Sequence, residues 1–330
     1  MTFKVKTRAA RLNKPYDIEL IERELECGED DIIVKNHAVG ICGSDKSFYR
    51  GFLPPQTAEF RQPPTFPFLL GHESGGTVVA VGSRVADFKV GDKVMAFGWN
   101  NNFADYFKAK SFQLQPVPFD LDMDIAALGE PIACAMFSGL HCGVNLGDTV
   151  VVMGGGFAGQ IIAQCAKLKG AYRVIVVDPL QAKLDLAISL GADMGLNPKE
   201  VDVVAEVKAL TGGKGADVVI EAAGSQDSFN AASALIKHNG KFVFYSWVTT
   251  PITLNISRWH DDGLEFINTC LVHHTWQERY VWVPEALRPV AQGMVKIKPL
   301  INKVFDLSEL KEGFDCADKD EAALKIVFRV

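Results

Sequence analysis

Four residues of metal-ligand type lie scattered ahead of a glycine-rich turn. Cys42 sits in Gly40-Ile41-Cys42-Gly43-Ser44-Asp45, His72 and Glu73 follow Gly71, and Glu130 stands between Gly129 and Pro131. One thiolate, one imidazole and two carboxylates form a donor set that a catalytic zinc accepts. Downstream, the turn Gly154-Gly155-Gly156-Phe157-Ala158-Gly159 follows an apolar run, Val150-Val151-Val152-Met153, and opens a helical pattern. A strand, a G-x-G-x-x-G turn and a helix present the free N–H groups that a dinucleotide pyrophosphate needs. The two features together point to hydride transfer at a zinc-polarised alcohol or carbonyl.

The nucleotide reading gains from context. Asp178 ends the next apolar strand, about twenty residues past the turn, where a carboxylate binds adenosine ribose hydroxyls and repels a 2′-phosphate. Pro179 and Leu180 follow with no arginine to offset it, which favours NAD over NADP. The metal reading is less settled from spacing alone. A lone cysteine is usually core, a lone histidine usually a hydrogen-bonded structural residue, and Glu130 could simply start a helix. In favour of a site, Gly40 and Gly43 flank Cys42, while Gly71, Gly75 and Gly76 leave room around His72-Glu73.

The elements that must position these residues fall into two kinds. Residues 1 to about 130 read as short strands broken by turns, with a hairpin over Phe88–Ala96 tipped by Gly91-Asp92 and a loop from 51 to 67. From 131 strands and helices alternate: strands at Thr149–Met153, Arg173–Val177, Ala216–Glu221 and Gly240–Tyr245, and helices at Gly159–Leu168, Gln181–Leu190, Val201–Leu210 and Ser228–Ile236. That rhythm, with apolar strands, predicts a parallel sheet covered on both faces. The tail returns to mixed character, with a helix from Pro284, another capped by Ser308, and a closing strand, Leu324–Val330, that suits the first domain. The expected division is 1–130 completed by 285–330, and 131–284.

Bulk properties exclude several classes. A net charge of −6 without a Lys/Arg cluster argues against a nucleic-acid partner. No apolar run approaches a membrane span, and the opening residues have no signal-peptide core, so a cytoplasmic location is expected. Seven cysteines with no Cys-x-x-Cys argue against a disulfide framework and against a four-thiolate zinc.

Several of these segments resemble the zinc-dependent medium-chain dehydrogenases. They are Cys42 with Gly43-Ser44-Asp45, Gly71-His72-Glu73-Ser74-Gly75-Gly76, Val90-Gly91-Asp92-Lys93-Val94, Gly129-Glu130-Pro131, Lys183-Leu184, Leu190-Gly191-Ala192-Asp193, and Gly215 to Gly224. Glu130, where the alcohol dehydrogenase branch has a cysteine, is similar to the sorbitol (polyol) dehydrogenase branch. The resemblance implies an α/β protein: a GroES-like, mostly β catalytic domain built from both ends of the sequence, and a Rossmann doubly wound parallel sheet between them. It implies Cys42 and His72 as direct zinc ligands, with Glu73 and Glu130 binding directly, through water or in exchange with water. Ser44 would relay the substrate proton, with Asp45 behind the ligands. NAD would be held by the 154–159 turn, Asp178 and Ala223-Gly224.

Three departures from the family follow. No cysteine lies in Met95 to Tyr106, where relatives carry a zinc lobe, so one catalytic zinc and no structural zinc is expected. Ser47 stands where a histidine often continues the proton path. The 47–70 loop is long and carries Phe48, Tyr49, Arg50, Phe60 and Arg61, so the substrate of sorbitol dehydrogenase does not carry over to this chain.

The expected reaction is oxidation of a secondary alcohol of a polyol, sugar or cyclitol. Pocket candidates are Trp99 with the amides of Asn100 to Asn102, and His273 and His274. Alternatives are a threonine-type amino alcohol dehydrogenase, an NAD-retaining epimerase or lyase, and a non-catalytic NAD-binding protein, against which the intact ligand set argues. Relatives pair through the nucleotide domain, so a homodimer or homotetramer is expected.

Overall fold

The computed structural model describes residues 3–53, 64–98, 101–248, 250–271 and 274–330. The expected pocket residues Trp99 and His273 therefore lie outside the described residues, as do Phe60 and Arg61. The chain forms two compact units, one from 1–131, 276–292 and 297–330, the other from 132–275 and 293–296.

In the first unit, a seven-stranded sheet runs in the order Ile301–Asp306, Lys325–Arg329, Ile32–Gly40, Ser74–Val81, Lys93–Ala96, Leu114–Pro116, with Tyr106–Ala109 also pairing with Ile32–Gly40. A smaller sheet places Lys4–Lys14 between Asp17–Glu26 and Phe68–Leu69. The strand Ile32–Gly40 is buried on nearly every residue and is the hub. Its end pairs antiparallel with Ser74–Val81 through Val39 and Ser74, and with the C-terminal strand through Gly40 and Val327. Below it, Val39, Ile41, Phe48, Tyr49, Leu70, Phe103, Phe314 and Phe328 form one apolar core.

The helix Gly43–Tyr49 grows straight out of the hub strand, with Cys42 at its cap and Asp45 accepting the Cys42 N–H at 3.0 Å. It takes residues 47–49 out of the expected 47–70 loop. A cysteine is not among the usual capping types, so the S/T-x-x-E signature was absent from the sequence. The expected hairpin over 88–96 is also different. Only Lys93–Ala96 is a strand, paired with Ser74–Val81, and residues 88–92 are the turn that leads into it. The late helix starts at Trp276 and runs to Ala291 in the first unit, through Pro284 and Pro289.

The second unit holds six parallel strands in the order Met194–Leu196, Arg173–Val177, Thr149–Met153, Ala216–Glu221, Ile236–Phe244, Glu265–Asn268. In chain order this is 3-2-1-4-5-6, a doubly wound sheet whose direction of winding reverses beside Thr149–Met153. The carboxyl ends align there, with Met153 opposite Val177 and Glu221. The glycine turn therefore opens at the switch point, where such sheets bind ligands. Among the described residues no helix is long and apolar enough to cross a membrane.

Candidate active site

Strand pairing brings the ligand-type residues together. Because Gly40 donates its N–H to the Glu73 carbonyl at 3.0 Å, the segments 40–42 and 72–74 leave the sheet side by side. Cys42, His72 and Glu73 then place one donor atom each within 4.8 Å of one another, the only such group of His, Cys, Asp and Glu among the described residues. His72 and Glu73 are buried, and Cys42 is half-buried. Glu130 is not in that group. It lies buried in the first turn of the helix Gly129–His141, close enough to act electrostatically on Lys325.

The donors have support behind them. The buried Asp45 sets one carboxylate oxygen on the Cys42 N–H and the other 3.7 Å from His72 Nδ1. A carboxylate on the Nδ1 side of the ring attracts positive charge there and leaves the Nε2 side for a metal. Burial raises the Asp45 pKa to about 6, with His72 and the Cys42 N–H opposing the shift. Burial pulls the His72 imidazolium down, but Asp45, Cys42 and Glu73 outweigh it, and its pKa stands well above the ordinary value.

Glu73 has a partner that sequence reasoning missed. Lys325, 4% exposed, donates from Nζ to Glu73 Oε2 at 2.5 Å and to the Ile41 carbonyl at 2.9 Å. Burial lowers the Lys325 pKa, yet Glu73, Cys42 and Glu130 together leave it raised, so the ammonium stays charged. Gly40 makes room for the pair: a Cβ there would stand 2.5 Å from Leu128 and 2.6 Å from Glu73 Oε2. In the sequence Lys325 looks like one polar residue at a strand start, and its only signal is a charge within an apolar closing strand.

These residues fit a zinc. Glu73 Oε1 is buried and accepts no hydrogen bond, which is costly for a carboxylate oxygen unless a cation meets it. One thiolate, one imidazole nitrogen and that oxygen are donors a zinc accepts. Ser44 is buried in the first turn of the Cys42-capped helix. Ser47 is turned back on its own helix, its hydroxyl donating to the Gly43 carbonyl at 3.2 Å.

Two expectations about the substrate side change. Phe48 and Tyr49 are fully buried in the core, the Tyr49 hydroxyl donates to Asp315 at 2.5 Å, and Arg50 Nε reaches Asp318 at 2.5 Å. Tyr49 and Arg50 bind this helix to the helix Leu310–Lys319, and Phe48 packs edge-on against Phe68 in the core. Asn102 is also enclosed, packed against Gly71, whose φ of +112° and lack of a Cβ accommodate it. His274 is half-buried in the second unit, edge-on to Phe137 with ring centroids 5.1 Å apart.

In the second unit each motif glycine has its own reason. Gly154 has φ +105° and lies against Ala222 and Ala223. Gly156 caps the helix Phe157–Leu168 and faces open space, leaving room for a ligand beside Phe157 and Ala158. A Cβ on Gly159 would collide with the Gly154 carbonyl at 1.9 Å, so glycine permits close packing of helix on turn. Asp178 is buried, and its oxygens accept the Gly155 and Leu180 N–H groups, each at 2.9 Å. Lys183, not singled out as a site residue from its sequence position, flanks Gly155 on the same side as Asp178. The N–H groups of Ala223 and Gly224 are both taken by Glu221 Oε1, at 3.0 and 2.7 Å. They are therefore not spare donors for a nucleotide.

Comparison with known proteins decides the family. Residues 28–171 match the alcohol dehydrogenase GroES-like domain and residues 158–283 the zinc-binding dehydrogenase domain. A D-arabitol-phosphate dehydrogenase from Enterococcus avium is 30% identical, covering 88% of this chain and 87% of that protein. The chain belongs to the zinc-type medium-chain alcohol dehydrogenases. A sorbitol dehydrogenase from Bacillus subtilis is 27% identical over 88% of each chain. Among solved structures, an NADP-bound dehydrogenase of the zinc-binding type from Sinorhizobium meliloti is 25% identical, with a TM-score of 0.85 over 99% of this chain and 100% of that one. The two units are accordingly the GroES-like and Rossmann-type parts of this family, and the protein is an oxidoreductase acting on small molecules.

Proposed function

We propose that this dehydrogenase oxidises a secondary alcohol of a polyol, sugar or cyclitol with NAD as hydride acceptor, at one catalytic zinc. The observation that carries the reading is the convergence of Cys42, His72 and Glu73, with the Glu73 Oε1 buried and without a hydrogen-bond partner. Cys42, His72 and Glu73 would hold the metal, with Glu130 as a further carboxylate from the neighbouring helix. When bound, zinc supplies Lewis-acid polarisation that lowers the pKa of a substrate hydroxyl.

The chain's own residues do the rest. Asp45 sets a negative charge 3.7 Å from His72 Nδ1, and Lys325 holds Glu73 Oε2 while the buried Oε1 accepts no hydrogen bond. Ser44, two residues past Cys42, would relay the substrate hydroxyl proton, accepting it while giving its own up to water, and NAD when bound would supply the hydride acceptor. Asp178 supports NAD over NADP: each of its oxygens accepts one backbone N–H and keeps acceptor capacity for a ribose hydroxyl, while a 2′-phosphate would meet a buried negative charge. The polyol class is supported by the arabitol-phosphate and sorbitol dehydrogenase relatives and by Glu130 in place of a cysteine.

The test is nicotinamide absorbance with zinc-loaded protein, NAD or NADP, and a panel of polyols, their phosphates, sugars, cyclitols and L-threonine. NADH formation with one hydroxylated class, lost on chelation and lost in Cys42→Ala and His72→Ala proteins that still bind NAD, is the expected result. Turnover retained by metal-free protein refutes the zinc assignment. Cofactor that co-purifies and never exchanges, with no net NADH, refutes the dehydrogenase direction in favour of internal redox.

A further inference from the structure

A helix packed against a parallel sheet ordinarily turns apolar residues inward, yet Gln160 in the helix Phe157–Leu168 is an amide only 1% exposed. Its Nε2 donates twice, to the Gly155 carbonyl at 3.0 Å and to the Lys183 carbonyl at 2.8 Å. Gly155 in turn donates its N–H to Asp178 Oδ2, and Asp178 Oδ1 accepts from Leu180. The Lys183 N–H donates to the Leu180 carbonyl at 3.0 Å. The bonds close a ring: Gly155, Asp178, Leu180, Lys183, Gln160 and back to Gly155. Both ends of Gly155 are thereby fixed, its N–H by Asp178 and its carbonyl by Gln160.

The ring is tight. A Cβ on Gly155 would lie 3.2 Å from the Asp178 Cβ and 3.3 Å from the Lys183 Cβ, so the turn packs closely on both, and the Gly155 N–H bond ties it to Asp178. One turn further on, Gln164 repeats the device towards the backbone of Lys296, accepting its N–H at 2.8 Å and donating to its carbonyl at 3.2 Å. The helix is thus tied by two buried amides, and the first of them reaches only the glycine turn and the segment after Asp178.

We propose that Gln160 is a positioning residue for the adenosine end of the nucleotide, setting the distance between the glycine turn and Asp178. This rests on the reading of that turn as the NAD site. Methionine at 160 keeps the volume and removes both donated bonds. Glutamate keeps the shape but sets a carboxylate against two carbonyl oxygens, with the Asp178 carboxylate across the same ring.

The experiment measures binding of NAD and of AMP to the full-length, zinc-loaded protein by titration calorimetry, for wild type, Gln160→Met and Gln160→Glu. Turnover is measured on whichever substrate the panel identifies. AMP carries the ribose and a phosphate but no nicotinamide. In Gln160→Met both NAD and AMP should bind about tenfold more weakly, the combined effect of two lost neutral hydrogen bonds. KM for NAD should rise while kcat at saturating NAD stays near wild type, and Gln160→Glu should be weaker still. If Gln160→Glu does not fold, the near-isosteric methionine variant decides. A lowered melting temperature with AMP affinity unchanged overturns the proposal and leaves Gln160 a packing residue, and so does a fall in kcat with KM unchanged. Wild-type protein that binds neither NAD nor AMP overturns the underlying nucleotide reading instead.

Discussion

Replacing Lys325 by methionine tests the charge arrangement of the site most directly. Nζ and Glu73 Oε2 are 2.5 Å apart, with side chains 4% and 0% exposed. At an effective dielectric constant of about 20, their attraction is about 7 kcal/mol. Desolvation of each ion costs several kcal/mol, so the net contribution of the pair is far smaller. The asymmetry matters more. Methionine fills similar space but takes the ammonium away from Glu73 Oε2 and leaves that buried carboxylate to the His72 imidazolium, at a cost of up to about 3–5 kcal/mol. The Ile41 carbonyl loses its donor as well. Zinc should return part of this loss, since a dication on Glu73 Oε1 supplies the missing positive charge. The double variant Lys325→Met with Glu73→Gln should also regain stability, because the carboxylate that lost its ammonium is then gone. The assay is denaturant unfolding of metal-free and zinc-loaded protein for the wild type, both single variants and the double. A metal-free Lys325→Met protein as stable as wild type would refute the reasoning. Equal losses with and without zinc would show instead that Lys325 and the metal do not share Glu73.

Three further outcomes are expected. Gly40→Ala puts a methyl group 2.6 Å from Glu73 Oε2 and 2.5 Å from Leu128, so it should cost about 1–3 kcal/mol and weaken zinc uptake, measured by competition with a chromogenic chelator. Asp178→Ala removes the acceptor of the Gly155 and Leu180 N–H groups and the charge that opposes a 2′-phosphate. The ratio of kcat/KM for NAD to that for NADP should fall, and an unchanged ratio would remove Asp178 from the specificity argument. Burial, with the Asp315 hydrogen bond and charge, raises the Tyr49 pKa from 10.0 to about 12. A phenol that ionises later in the folded than in the unfolded chain contributes stability fully below pH 10, lost as pH rises towards 12. Tyr49→Phe should therefore be less stable at neutral pH and show a shallower alkaline loss, read from unfolding midpoints against pH.

Much of the site was legible because its chemistry is local in sequence. Cys42, and His72 with Glu73, sit among glycines that leave room for a ligand, and the 154–159 turn announces itself by following one strand and opening a helix. The alternation of apolar strands and helices from 149 onward was enough for a parallel sheet covered on both faces, because a strand buried on both faces has to be apolar throughout, while its doubly wound order was implied only by the family resemblance. Where local reading failed, the deciding term was not local. Phe48, Tyr49 and Arg50 were placed in the 47–70 loop because the partners of Tyr49 and Arg50, namely Phe314, Asp315 and Asp318, lie far along the chain. The helix Gly43–Tyr49 was hidden behind an unusual cap.

The amino-acid sequence determines which donors exist, which residue types can approach a pyrophosphate, and the strand and helix periods that select the two architectures. Tertiary structure decides which of those donors share a site. Cys42, Glu73 and Lys325 meet because the strands Ser74–Val81 and Lys325–Arg329 flank Ile32–Gly40, a pairing set by sheet order and register. Glu130 stays outside the close group for the same reason, since its position is set by the helix Gly129–His141. The roles of the two buried polar residues Lys325 and Gln160 do not follow from the sequence, where Lys325 shows only as a charge in an apolar strand. A charge or an amide is costly to bury, and only the partners that the fold brings to it make burial favourable.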